Sequence, residues 1–142
     1  MGIVGVNFSK LLVEKKKAAS GKITINNNIS IKDVEESDLS LGKTKQKGVK
    51  LVFQFTSNYA PDIAEILIGG EVLYLDEEAK AKKILEEWKK DKKIAKEVIT
   101  EVLNAALMKC NIEALLLSKE ANLPPPLNLP KIEVKKKENY IG

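Results

Sequence analysis

The amino-acid sequence predicts an α+β fold in which a twisted antiparallel sheet comes first and amphipathic helices follow. Apolar residues alternate with a period of two between residues 23 and 75, then recur at helical spacing from residue 77 onward. The period changes only once. Strands and helices are therefore segregated along the chain, a pattern of α+β folds rather than of a parallel α/β sheet. A run of three prolines, Pro124-Pro125-Pro126, then closes the helical region.

The 142 residues suit a single domain, 1–142. Its expected parts are an N-terminal segment (1–20), strands (21–76), helices (77–122), a proline-rich stretch (123–132) and a tail (133–142). In the first strand, 23–34, Ile23, Ile25, Ile29 and Ile31 share one parity and Asn27 interrupts it. Leu39 and Leu41 extend the pattern after a polar break. Gly42 to Gly48 reads as a turn with a glycine at each end. The second strand is the cleanest: Val49, Leu51, Phe53 and Phe55 alternate with Lys50, Val52, Gln54 and Thr56, giving one buried and one mostly polar face. Residues 58–62 form the next turn.

The third strand, 63–75, is apolar on both parities. Ala64, Ile66, Ile68, Val72 and Tyr74 occupy one, and Ile63, Leu67, Leu73 and Leu75 the other. Gly69-Gly70 inside it predicts a bulge or a close backbone approach; no helix start follows at the spacing a phosphate loop needs. A single layer of helices covers one face of a sheet only. The second apolar face therefore predicts self-association into a homo-oligomer.

Asp76 is the expected N-cap of the first helix, with Glu77 and Glu78 in its first turn and Ala81, Ile84, Leu85 and Trp88 on its apolar stripe. After a kink near Asp91, a longer helix carries Ala95, Val98, Ile99, Val102, Leu103, Ala106, Leu107 and Cys110 on one face. Its stripe continues through Ala114 and Leu117, widened by Leu115 and Leu116. The helix must end before Pro124, because proline lacks the amide donor and biases the preceding residue toward extended backbone.

Composition narrows the chemistry. There is no histidine, and every one of the 24 basic residues is a lysine. Histidine-based triads, His-rich zinc sites and arginine clamps are thus excluded, and no catalytic residue, metal ligand set or cofactor is expected. Carboxylate pairs such as Glu77-Glu78 lie in charge-mixed stretches where nothing would separate their pKa values. The lone Cys110 falls on an apolar helix stripe and reads as packing; without an internal partner it fits a reducing, cytoplasmic compartment. The net charge of +4 comes from lysines interspersed with 20 acidic residues, a solvated surface rather than a nucleic-acid footprint. No stretch is apolar enough to predict membrane insertion, and the order of apolar and basic residues near the N-terminus is the reverse of a signal peptide.

The stretch Leu123-Pro124-Pro125-Pro126-Leu127-Asn128-Leu129-Pro130, directly after a long amphipathic helix, resembles the Pro-Pro-Leu-Asn-Leu-x-Pro crossover loop of SecB-type protein-export chaperones. Ala95-Lys96-Glu97-Val98-Ile99 is similar to the Ala-Arg-Glu-Val-Ile of that family's long helix. The resemblance spans roughly residues 60–132. It implies a dimer or dimer of dimers that holds unfolded polypeptide clients in apolar grooves, without ATP, ahead of export. By position, it implies polypeptide-binding roles for Leu123, Leu127, Leu129 and Ile132 in the loop and for Phe53, Phe55 and Tyr74 in the sheet. Each has a plainer reading, since Phe53 and Phe55 suit a core and the prolines suit a rigid helix exit. The competing functional class is a non-enzymatic adaptor on the same fold that binds one dedicated partner.

Overall fold

The computed structural model describes residues 2–18, 20–37 and 46–127. The expected strand extension at Leu39 and Leu41 and the turn at 42–45 lie outside the described residues. The chain forms strands β1 (Gly2–Lys15), β2 (Thr24–Ser37), β3 (Gln46–Ala60) and β4 (Ala64–Glu77), then helices α1 (Glu78–Asp91) and α2 (Lys96–Glu120). All strand pairings are antiparallel, in the order β1-β4-β3-β2. Strands first and helices last is the α+β arrangement the sequence predicts.

One element departs from expectation. The segment before residue 21 is an edge strand paired along β4. On the helix-facing side, Ile3, Val6, Phe8, Leu11 and Val13 stand opposite Tyr74, Val72, Gly70, Ile68 and Ile66, and all but Leu11 pack against the core. Register shifts at Val4 and Ser9 insert one extra residue each, so the inward positions are spaced three, two, three and two apart and the alternation is lost to a reading by parity. β3 also begins earlier than expected: Gly48, read as a turn residue, sits in the ladder opposite Leu75 and Ser37. The turn between β3 and β4 is shorter, at 61–63, and leaves Asn58 and Tyr59 inside the strand.

The core lies on the face where Val49, Leu51, Phe53 and Phe55 of β3 meet Ile66, Ile68, Val72 and Tyr74 of β4, all buried. Both helices pack there. On the other face Leu67 and Leu73 stay half-buried among Thr56, Lys50 and Glu71, the last two joined by an ion pair of 3.6 Å. Gly70 is where the sheet is tightest. A Cβ there would run into the Asn7 carbonyl oxygen and stand 2.9 Å from Phe53 Cζ, so the close approach read from Gly69-Gly70 falls on Gly70 and accommodates the Phe53 ring.

α1 starts one residue later than the Asp76 cap implies. Asp76 Oδ1 accepts the Glu77 backbone N–H at 2.8 Å at the end of β4, and the helix begins after Glu77 without a side-chain cap. It ends at Lys92, which takes a left-handed conformation (φ 56°), donates its N–H to the Trp88 carbonyl and lays its ammonium 5.2 Å from the Trp88 ring centre. The expected kink is therefore a break between two helices.

In α2 the buried residues are Val98, Val102, Ala106, Cys110, Ala114 and Ser118, one every four positions. Four of the six are small, which lets the helix lie close against the sheet. Burial pushes the Cys110 thiol up to about 12, so the thiolate is nearly absent near neutral pH. Cys110 in the native protein is expected to stay unmodified by a thiol reagent at pH 8 and to react once the chain is unfolded. Reaction at comparable rates in both states would show that α2 lifts off the sheet readily.

Candidate functional site

The end of α2 sets the geometry of the site. Asn122 adopts a left-handed conformation (φ 54°) and donates its N–H to the Lys119 carbonyl at 3.2 Å; Leu123 donates to Ser118 at 2.8 Å. This pair of bonds is a Schellman motif, with asparagine in the place usually taken by glycine and Leu123 buried as its apolar anchor. The motif turns the chain back, and residues 124–127 run as a strip across the sheet near β2. Polar side chains of the sheet receive it. Tyr59 Oη donates to the Pro124 carbonyl at 2.5 Å, and Asn27 Nδ2 donates to the Pro126 carbonyl at 2.6 Å.

Between this strip, α2 and the edge strand β2 lies a cleft of about 590 Å3, within the size range of ligand sites. Its apolar lining comes from Ile25 and Ile29 of β2, Phe55 of β3, Leu107 of α2, and Pro125, Pro126 and Leu127 of the strip. Asn27, Asn28 and Asn111 supply the polar part. Among the described residues, none with a titratable side chain lines it. Among the described residues, no group of three or more Cys, Asp or Glu side chains is placed to hold a metal ion. The described lining thus combines apolar side chains with neutral amides.

The structure brings two of the expected binding residues together: Phe55 and Leu127 both line the cleft. Phe53 lies one pair further along β3, buried over Gly70 and away from it. Leu123 is buried in the helix-terminating motif. Tyr74 lines a second, smaller cleft of about 320 Å3 between β4 and the N-terminal end of α2, among Asp76, Glu97 and Glu101. Burial first, then these carboxylates, raises its phenol pKa. Leu129 and Ile132 lie outside the described residues. Sequence reading missed Ile25, Ile29, Leu107 and Asn111 as cleft residues. The first three were assigned to apolar stripes of their own elements, and only contacts distant in sequence separate cleft from core.

No family model matches the sequence, and no curated protein matches it either. Among solved structures, the chain is similar to a Mycobacterium tuberculosis SecB-like chaperone in complex with a ChAD peptide from an antitoxin. The TM-score is 0.52 at 12% sequence identity, over 94% of this chain and 91% of that one. The fold is SecB-like. Coverage of nearly both chains means that the SecB-like likeness extends to the sheet and both helices, including the edge strand that sequence pattern did not reveal. Among the described residues, no helix is long and apolar enough to cross a membrane.

Proposed function

We propose that this SecB-like chain is a non-enzymatic polypeptide-binding protein, an ATP-independent holding chaperone that takes extended apolar segments into the cleft beneath its proline strip. The cleft itself carries the reading: a concave site that sets Phe55, Leu107 and Leu127 beside neutral amides. A strip of consecutive prolines presents its side chains at low ordering cost, because proline has little conformational freedom to lose. Unfolded clients offer apolar segments without a fixed sequence, and such a site needs neither metal nor base. Service in protein export belongs to the same proposal and rests on the crossover-loop resemblance.

A second reading has a specific observation in its favour. The similar mycobacterial chaperone was solved with a peptide from an antitoxin, a single defined partner. An adaptor of this fold would bind one such segment and ignore generic unfolded chains. Light scattering of the protein with a slow-folding unfolded polypeptide, at low and high salt, separates the two. Soluble complexes that persist in high salt are expected of apolar holding. Indifference to the client would refute the chaperone reading in favour of the adaptor, and binding abolished by salt would point instead to charge.

Self-association belongs to the same proposal. Met108, Ile112 and Leu116 recur every four residues on the side of α2 away from the sheet and are 70%, 60% and 53% exposed. Val4, Leu11 and Leu12 are exposed on the edge strand β1. An apolar stripe of this kind marks an association surface, and a homodimer or dimer of dimers would cover it. Ile112→Asp is expected to lower the mass measured by light scattering to that of a smaller species while the circular dichroism spectrum stays unchanged. An unchanged mass would remove α2 from the interface.

A further inference from the structure

Asn27 breaks an otherwise regular isoleucine parity in β2, and the structure gives this break a purpose that polypeptide binding alone does not explain. Asn27 pairs across the ladder with Ser57, on the inward face between Ile25 and Ile29. Ser57 is fully buried, and its hydroxyl donates to Asn27 Oδ1 at 2.6 Å. The Pro126 carbonyl can only accept, so the amide turns its NH2 group toward it, reaching it at 2.6 Å, and leaves its oxygen to the Ser57 hydroxyl. Two residues along β3, the buried Tyr59 reaches the Pro124 carbonyl.

The chemistry of the strip makes these donors necessary. Pro124, Pro125 and Pro126 have no N–H, so over these three residues the strip can only accept hydrogen bonds. Its carbonyls still require partners where they are buried. Side-chain donors of the sheet, Asn27 and Tyr59, supply two of them, and an apolar residue at position 27 would supply none.

We infer that Asn27, steadied by Ser57 and assisted by Tyr59, is a positioning latch that fixes the proline strip and thereby sets the width of the cleft. The inference rests on the proposed polypeptide-binding reading. Asn27 does not select the client; it holds Pro126 and Leu127 where the client's side chains meet them. Burial pushes the Tyr59 phenol up to about 12, so it remains a donor throughout the ordinary pH range.

Asn27→Asp is the informative substitution, because it keeps shape and removes the donor. An ionised carboxylate still accepts from Ser57 but turns a second oxygen toward the Pro126 carbonyl. At about pH 4 the carboxyl gains a proton and can donate again. A spin label on Pro125→Cys reads the strip directly, since position 125 is exposed and Cys110 is buried. At neutral pH the label's spectrum is expected to sharpen in Asn27→Asp and Asn27→Ala, and near pH 4 to broaden again in Asn27→Asp alone. Affinity for a fluorescent unfolded polypeptide, measured without the label, should fall on the order of tenfold and recover in parallel. Ser57→Ala, which removes the hydroxyl that steadies the amide oxygen, serves as the second variant should Asn27→Asp fail to fold. An unchanged spectrum, or a mobile strip with undiminished affinity, would overturn the latch. If the wild-type protein bound no polypeptide, the functional reading would fall, and the label would still decide whether Asn27 holds the strip.

Discussion

Gly70→Ala is expected to destabilise the protein by about 3 kcal/mol, because two strands and an aromatic ring converge on the space its missing side chain leaves. The added methyl would press on the Asn7 carbonyl of β1, a backbone atom that can move only with its strand, and on Phe53 Cζ. Phe53 is 1% exposed, and Gly70 sits directly opposite it in the ladder. Gly69 makes the contrast. A Cβ there would find only the Lys10 Cβ at 3.5 Å and the Phe53 carbonyl at 4.0 Å, ordinary contacts, so Gly69→Ala is expected to cost well under half as much. Urea denaturation of the two variants reads the difference. Equal midpoints would mean that β1 can shift to admit the methyl. The complementary change, Phe53→Ala, empties the ring's site and is expected to cost about 3–5 kcal/mol. Because Phe53 is not a cleft residue, affinity in the fraction that remains folded should be unaffected.

What the sequence revealed and what it concealed divide along physical lines. β3 was legible because its apolar residues keep one parity on the buried face, and β4 because, flanked by strands on both sides, it is apolar on both parities. β1 was not legible: its two bulges shift the inward residues from one parity to the other and back. The long helix was legible in its stripe, whereas its left-handed terminus at Asn122 was missed. Its signal was available, an asparagine just past the last periodic residue with a leucine after it. Within the site, Leu127 and Phe55 were picked out by the crossover-loop resemblance and its placement of sheet aromatics. Phe53 has the same parity and composition as Phe55, and what separates them is a glycine on the next strand. Asn27 was visible as an interruption. Its acceptor is 99 residues away, and no local pattern carries that information.

Replacing Leu127 with Ser is expected to weaken polypeptide binding by about tenfold with little change in stability. The asymmetry comes from where the side chain sits. Leu127 is only half-buried in the free protein, so its removal leaves no sealed cavity and sacrifices little folding energy. A client in the cleft would complete its burial, and full burial of a leucine is worth about 1.5–3 kcal/mol, of which the half still exposed before binding is the part at stake. Loss of shape in a small cleft adds to that. Leu107→Ser, from the opposite wall, should act in the same direction. Leu123→Ser gives the opposite balance: it removes a buried anchor of the helix-terminating motif, so the thermal midpoint falls. Any loss of affinity then follows the unfolded fraction. Calorimetric titration of the three variants with one unfolded polypeptide, beside their melting curves, separates cleft from scaffold. Undiminished affinity in both Leu127→Ser and Leu107→Ser would place the client elsewhere. The exposed α2 stripe would then be the surface to test next.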